Sequence, residues 1–372
     1  MMNNAITGNK KIDEIDILKG LGIICVVMDH ARISNRFFYT FEVGLFFIIA
    51  GYCFNNSMYN STKSLASYIK KQTMRLYIPL ITINIIFALL NNWFMKIGIY
   101  SDNPILVDET NKLVSFGLDS YYSAKDLIKQ IVKIICMFDT TKMGGTTWFI
   151  RALLVITIAY AIMYRLLSGQ LRNSMKQVVC VVVIVLLLGI TVEEMLCGIL
   201  PTIVIDMTIY FSLYCCGNLY RMMGGKPTDN YIRIIGGVIL WMSYVIGQNY
   251  LVDDYVMKKL LYFVASIATW EIGVRLVALL PKNSIKRVLI YIGKNTMPII
   301  FLNFIAFKVV IWLQIKIYYL PQYYLAAFPS YAHDWWWTIC LCIVGILIPL
   351  GANIVYKKMK VIVINIRNTI NE

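Results

Sequence analysis

The segment that decides the fold reads Ile17-Leu18-Lys19-Gly20-Leu21-Gly22-Ile23-Ile24-Cys25-Val26-Val27-Met28-Asp29-His30. It has the apolar character of a membrane-spanning helix, yet it carries three ionisable side chains. Such groups are costly in hydrocarbon, and they usually face a protein interior or a wet cavity and take part in function. Lys19 and His30 are eleven residues apart, which is about three helical turns. They therefore lie on nearly the same side of the helix, about 16 Å apart along its axis, and we expect chemistry on this helix.

The composition of the whole chain places it in a membrane. Of its 372 residues, 59% are hydrophobic and 15% are charged, whereas soluble chains are about half apolar and a quarter charged. We therefore predict an all-α integral membrane protein. The segment 14–31 is not expected to be a cleaved signal peptide, because Lys19 and Asp29 interrupt its apolar core and no small-residue cleavage site follows. The nine cysteines fall in apolar stretches without metal-ligand spacing, so we expect neither a disulfide framework nor a bound metal.

Hydropathy and loop charge predict the topology. A spanning helix needs about 20 mostly apolar residues. About ten such segments occur, at 14–31, 38–55, 75–95, 146–167, 177–194, 198–219, 231–250, 259–280, 288–312 and 335–356. Lysine and arginine concentrate in alternate loops, which the positive-inside rule assigns to the cytoplasm. We predict that both termini are cytoplasmic. The net charge of +15 is then mostly a property of these loops, and nucleic-acid binding is not expected.

The longest stretch without a spanning segment is 96–145, which this topology places outside the cytoplasm. Within it, Lys125, Lys129 and Lys133 recur every four residues, and apolar residues fill the other face of the same helix. This pattern predicts an amphipathic helix at about 123–138 that lies on the outer membrane interface. Neither an internal repeat nor an appended soluble domain is apparent, so we predict a single membrane domain over 1–372.

Several short motifs occur in an order and spacing that resemble one known family. They are Asp16-Ile17-Leu18-Lys19-Gly20 with Asp29-His30, Leu45-Phe46-Phe47-Ile48-Ile49-Ala50-Gly51-Tyr52, Arg75-Leu76-Tyr77-Ile78-Pro79, Thr147-Trp148-Phe149-Ile150, and Ile292-Gly293-Lys294-Asn295-Thr296 with Phe301-Leu302-Asn303-Phe304. Together they resemble the acyltransferase family 3 membrane proteins, whose hallmark is a basic residue, ten residues and then histidine in the first helix. The last motif resembles the branch of polysaccharide O-acetyltransferases and fucose 4-O-acetylase-like proteins. The resemblance extends from residue 15 to about 355.

The chain departs from the family pattern at four places. Glu42-Val43-Gly44 stand where the second helix often has His-Met-Pro, and Arg151 stands where a proline is expected. Gln72 replaces the first of two arginines near the third span, which leaves Arg75. Asn303 replaces a late histidine. Because the pair in the first helix is intact, the resemblance still implies acyl transfer.

The resemblance implies a membrane O-acyltransferase in the bacterial cytoplasmic membrane. It would move an acyl group, most simply acetyl, from cytoplasmic acetyl-CoA to a hydroxyl of a cell-envelope polysaccharide or glycolipid. A hydroxyl is a poor nucleophile near neutral pH, and histidine suits the role of its base because its pKa lies near that pH. The expected catalytic residues are His30, Lys19 and Asp29. The expected donor-binding residues are Arg75, Lys70 and Lys71, and the expected lining residues are Glu42, Trp148, Arg151 and Asn303.

Other interpretations of the same residues stay open. His30 has a structural interpretation as a neutral side chain bonded to a helix carbonyl, and Lys19 one as a lysine that extends towards the membrane surface. Intramembrane charges also suit a transporter of a small solute, although no inverted repeat is apparent. A third hypothesis is a non-catalytic membrane partner in glycan assembly. The acceptor, the acyl chain and the oligomeric state are left open.

Overall fold

The computed structural model describes residues 2–32, 38–54, 62–102, 118–166, 175–195, 206–224, 231–250, 255–281, 283–328 and 334–371. Within them the regular structure is helical, and the β structure amounts to one isolated bridge between Ser101 and Leu118. The α-helices are α1 Met2–His30, α2 Leu45–Tyr52, α3 Thr62–Gln72, α4 Ile78–Leu89, α5 Asn91–Ile97, α6 Ala124–Ile135, α7 Trp148–Leu166, α8 Met175–Met195, α9 Met207–Met222, α10 Tyr231–Tyr250, α11 Tyr255–Leu279, α12 Ser284–Lys294, α13 Thr296–Tyr318 and α14 Trp335–Asn371. Short 3-10 helices cover Gly145–Thr147 and Gln322–Ala326, and π-helical turns cover Thr40–Gly44 and Thr73–Tyr77.

The described helices confirm an all-α protein suited to cross a membrane several times. Five helical stretches are long and apolar enough to span one, namely Lys63–Leu89, Gly145–Leu166, Val256–Leu279, Thr296–Tyr318 and Trp335–Ile362. Shorter apolar helices cover Thr40–Tyr52, Val181–Val192 and Ile234–Gly247. The predicted count of about ten spans and the cytoplasmic termini stay predictions.

The boundaries of two predicted spans differ from the structure, and a third predicted span lies partly outside the described residues. The predicted span 288–312 is wrong, because the helix breaks at Asn295, whose side-chain oxygen accepts hydrogen bonds from Asn353 Nδ2 (2.8 Å) and Lys357 Nζ (2.9 Å). The predicted span 75–95 is displaced, since the helical stretch begins at Lys63 and ends at Leu89. Part of the predicted span 198–219 falls outside the described residues, which resume at 206.

Contacts divide the chain into two compact units. Unit 1 comprises residues 1–26, 36–81 and 148–294, and unit 2 comprises 27–35, 82–147 and 295–372. In unit 1, α2 and α9 approach so closely that a side chain at Gly51 would collide with the Tyr214 carbonyl, and one at Gly217 with the Ile48 carbonyl. Small residues at a helix interface allow this backbone approach, which favours association in lipid through van der Waals contact.

The helices α13 and α14 form an antiparallel pair in unit 2. Asn295 meets Lys357 at one end, and Trp337 Nε1 donates to the Tyr318 hydroxyl at the other, at 2.8 Å. Elsewhere in unit 2, Asn84 holds the segment before α7. Its Oδ1 accepts from the Thr141 N–H (2.9 Å), and its Nδ2 donates to Thr147 Oγ1 (3.0 Å).

The amphipathic helix predicted at 123–138 is present as α6. Ser123 and Asp126 form a capping box, in which each side chain bonds to the other residue's backbone N–H. This arrangement satisfies two donors that a helix start otherwise leaves free. Ile134 is buried, whereas Ile128 and Val132 are 64% and 53% exposed. The exposed apolar side chains fit the predicted position on a membrane interface.

Candidate functional site

His30 is the last residue of α1, and its imidazole contacts α13 within unit 2. His30 Nδ1 lies 3.1 Å from Asn303 Nδ2. The ring of Phe304 meets the imidazole edge-on, with 5.0 Å between ring centroids. Asn303 and Phe304 are both buried. Because Nδ1 faces the amide, Nε2 is the ring nitrogen left for another partner.

The Asn303 amide has two ways to meet the imidazole. With its NH₂ group towards Nδ1, it donates to a neutral ring whose proton is on Nε2. In this orientation Asn303 Oδ1 is buried and makes no hydrogen bond to the described residues. A half-turn of the amide brings Oδ1 to Nδ1, which then carries the proton and leaves the Nε2 lone pair open. Asn303 thus supports either tautomer of His30 and accepts from the imidazolium.

The predicted neighbour of His30, Asp29, belongs to unit 2 and is half-buried. Its backbone carbonyl accepts the Arg32 N–H at 2.8 Å, and its charge acts on the Arg32 side chain. Arg32 has a φ of 64°, so α1 stops in a left-handed turn directly after His30. Asp29 contributes to this helix end.

Lys19 lies in unit 1, where it is paired with Asp16. The Lys19 Nζ is 3.1 Å from Asp16 Oδ1, and Lys294 Nζ is 4.0 Å from Asp16 Oδ2. Asp16 is 6% exposed, so its buried carboxylate holds two cations on two helices. Sequence reasoning gave no role to this carboxylate. A lysine placed one turn after an aspartate is the signal that indicates the Lys19–Asp16 pair.

Arg75 lies in the π-helical turn Thr73–Tyr77, also in unit 1. Pro79 has no N–H, so the Arg75 carbonyl has no partner in the regular i→i−4 pattern. The Ile78 N–H bonds to the Thr73 carbonyl, five residues back, and the helix widens there. Single π turns are frequent at functional sites. The Arg75 side chain is exposed, and so are Lys70 and Lys71 one turn earlier.

Lys19 and Arg75 both act electrostatically on one side chain of unit 1. The charges that act on the Cys53 thiol are those of Lys19, Arg221, Arg75 and Asp16. Arg221 was not expected from the sequence. It is exposed at the end of α9, and its guanidinium donates to the Tyr52 carbonyl at 3.0 Å. Three cations and one carboxylate make this region positive, which suits an anionic ligand.

Glu42 and Arg151, two of the predicted lining residues, are buried in unit 1 with 3% and 8% exposure. Glu42 lies in the other π-helical turn, Thr40–Gly44. Its charge acts on Cys25 and Tyr262. Burial of an ionisable group in a membrane-spanning region is expensive, and such groups usually serve a function.

Trp148 begins α7 and belongs to an aromatic cluster of unit 1. Its ring lies 6.1 Å from that of Tyr210, which stacks on Phe47 at 4.5 Å. The Leu-Phe-Phe and Thr-Trp-Phe motifs therefore meet through their aromatic rings. No group of three metal-ligating side chains occurs in the part of the chain that the structure describes.

Comparison with known families gives one match over most of the chain. The family described as "Acyltransferase domain" matches residues 12–354. No curated protein and no solved structure matches the chain significantly.

Proposed function

Since the chain belongs to acyltransferase family 3, we propose that it is an O-acyltransferase of the bacterial cytoplasmic membrane that modifies a cell-envelope glycan. The donor is an acyl-CoA, most simply acetyl-CoA. The acceptor is a hydroxyl of a polysaccharide or a glycolipid. Family membership supports an acyltransferase enzyme, and the apolar helices support a membrane setting. The identities of the donor, the acceptor and the glycan target are part of the proposal.

The observation that carries the proposal is the contact between His30 and Asn303. A base for a hydroxyl needs a free nitrogen, a fixed ring and a partner for its second nitrogen. Asn303 holds Nδ1 at 3.1 Å, and Phe304 packs against the ring. In the proposed step, the acceptor hydroxyl gives its proton to His30 Nε2 as its oxygen attacks the acyl carbonyl. The C–S bond to the donor then breaks, and the proton leaves with the thiol.

The cations around Cys53 support a donor with several negative charges. We assign Lys19, Arg75 and Arg221 to the phosphates of acyl-CoA, with Lys70 and Lys71 as outer contributors. Lys19 serves this role while paired with Asp16, because one ammonium has three donors. We assign Glu42, Trp148 and Arg151 to the lining of the acceptor path. Asp29 keeps the structural role described above.

The proposal is tested in cells that lack this protein. They are complemented with wild type, H30Q, K19M or H333Q, at equal abundance in the membrane. His333 is the second of the two histidines of the chain, so H333Q is the matched control. Ester-linked acetate is released from the isolated envelope glycan by mild alkali and quantified. We expect wild type and H333Q to restore the esters, and H30Q to lower them by a factor of about 10² to 10⁴.

Two results would contradict the proposal. Full restoration by H30Q would make His30 structural and remove the proposed base. If no acyl ester depended on the protein, but uptake of a small solute did, the protein would be a transporter. Transfer of a labelled acetyl group from acetyl-CoA is then measured in open membranes. This measurement separates an error in the proposed donor from an error in the proposed class of reaction.

A further inference from the structure

Lys308 is a buried cation in the middle of α13, a helix that is apolar enough to span a membrane. It is 4% exposed. Its ammonium donates to the Leu325 carbonyl and to the Ala327 carbonyl, each at 3.0 Å. No ion pair of Lys308 occurs among the described residues. A lysine in such a place is costly unless its protons are satisfied, and here backbone oxygens satisfy two of the three.

The two carbonyls belong to a segment that turns back beside α13. This helix ends at Tyr318, ten residues after Lys308, which is about 15 Å along the axis. The chain then reverses, and we call residues 320–328 the returning segment. Its 3-10 turn Gln322–Ala326 is followed by Ala327, which is 1% exposed. Irregular backbone at membrane depth needs internal partners for its polar groups, and Lys308 supplies them.

The returning segment ends on the aromatic wall of the His30 site. Phe328 directly follows Ala327, and its ring meets Phe304 edge-on at 4.6 Å between centroids. Phe304 contacts the His30 imidazole at 5.0 Å, and Lys308 is one helical turn beyond Phe304. A continuous set of contacts therefore leads from the Lys308 ammonium through Ala327, Phe328 and Phe304 to His30.

We propose that Lys308 is a positioning residue of the His30 site. It holds the returning segment at depth through the Leu325 and Ala327 carbonyls, and thereby keeps Phe328 pressed on Phe304 beside the imidazole. Lys308 does not touch the reacting atoms. The inference rests on the proposed function for its effect on acyl transfer, but the placement of the returning segment is measured independently of it.

The first test measures whether Lys308 holds the segment. Ala327 is replaced by cysteine, and labelling of that thiol by a polar maleimide is followed in open membranes by peptide mass spectrometry. We expect A327C to be protected with Lys308 in place, and to react at least tenfold faster in K308M. The matched control is K316M, because Lys316 is an exposed lysine of the same helix that lies over Trp312 at 5.9 Å. Equal protection in K308M and K316M overturns the proposal.

The second test measures whether Lys308 acts through Phe328. K308M, F328A and the double variant are compared for kcat and for the KM of the donor. We expect each single variant to lower kcat about tenfold with an unchanged KM, and the double variant to fall no further than the lower single one. If the decreases in kcat of the two single variants multiply in the double variant, the two residues act independently, and this result overturns the proposal. So does a raised donor KM with an unchanged kcat.

Two additional comparisons cover the cases in which K308M does not accumulate or wild type shows no acyl transfer. If K308M does not accumulate in the membrane, K308Q replaces it, because glutamine keeps an N–H donor. Labelling of A327C in the K308Q background must then exceed labelling of A327C with Lys308 in place, and equal labelling rejects the proposal. If wild type shows no acyl transfer, the proposed function fails, whereas the maleimide comparison still decides whether Lys308 anchors the segment.

Discussion

The contact between Asn303 and His30 gives the sharpest prediction about catalysis. Asn303 is 0% exposed, and its amide meets His30 Nδ1 at 3.1 Å. Asn303→Leu keeps the approximate size of the side chain and removes the partner of Nδ1. A buried polar atom that loses its partner costs about 1–3 kcal/mol. At about 1.4 kcal/mol per tenfold change in rate, kcat should fall by a factor of about 5 to 150.

A second substitution at the same position tests the direction of the hydrogen bond. Asn303→Asp offers only acceptor oxygens when ionised, so it supports the tautomer with the proton on Nδ1 and an open Nε2. We therefore expect N303D to keep more activity than N303L. The assay is transfer from labelled acyl-CoA in open membranes, with kcat and the donor KM determined separately. The KM should not change, because neither variant alters the cations of unit 1.

The control for these variants is Asn91→Leu. Asn91 is buried in unit 2, and its Nδ2 donates to the Ser120 carbonyl at 2.8 Å. The Asn91→Leu variant therefore loses a comparable buried hydrogen bond that does not involve His30. The kcat of this variant should match that of wild type at equal folded abundance. An N303L enzyme with wild-type kcat would refute the reasoning. So would an N303D enzyme slower than N303L, because the amide would then act as a donor.

Three further predictions concern other parts of the chain. Arg221→Ala should raise the donor KM at least fivefold without lowering kcat, whereas Arg287→Ala, which removes another exposed arginine of unit 1, should leave both unchanged. Gly51→Ala should destabilise the protein by roughly 1–3 kcal/mol, seen as a lower midpoint of thermal aggregation in detergent, because its Cβ would collide with the Tyr214 carbonyl. Gly351→Ala, where a Cβ would meet nothing within 4 Å, should not lower it. The hydrogen bonds from Ser123 lower the pKa of Asp126 below its usual 3.8. The capping box therefore stabilises α6 above that pH and weakens as pH falls below it. The protection factors of amides 124–127, which correct for the slower intrinsic exchange in acid, should fall there in wild type but not in Asp126→Asn.

The sequence predicted those parts of the site that depend on local pattern. The helix with Lys19 and His30 is continuous to His30, because its apolar run contains no proline. The start of α6 follows from serine three residues before aspartate. Asn303 is expected in the site only because the family resemblance has a histidine at that position, and the structure shows its amide in contact with His30.

The parts that sequence reasoning missed depend on contacts between distant residues. The helix break at Asn295 depends on Asn353 and Lys357, about 60 residues later. In the sequence Arg221 is one of several basic residues near a helix end, whereas in the structure its guanidinium donates to the Tyr52 carbonyl and its charge acts on Cys53. The contacts of Lys308 cannot be predicted from its neighbours in the sequence, because nothing local indicates that residues 325 and 327 return to meet it. Hydropathy reports the environment of a segment but not its partners.

Four buried polar side chains of unit 2 differ in what they bind, and the difference bears on function. Asn84, Asn91 and Lys308 bind segments without regular helix, at 139–147, 118–123 and 320–328. Such segments need internal donors and acceptors in a membrane protein. The fold alone therefore explains Asn84 and Asn91, and Lys308 acts on the His30 site only through the segment that it holds.

Asn303 differs from these three residues, because its partner is the side chain of His30 on another helix. Neither residue satisfies an irregular backbone segment in this contact. Replacing both partners by apolar residues of the same shape is nearly neutral for stability in general. A double variant, H30L/N303L, should therefore fold as well as wild type and show no acyl transfer. If it failed to accumulate in the membrane while K308M folded normally, the pair would be structural, and the argument for His30 as the base would lose its main support.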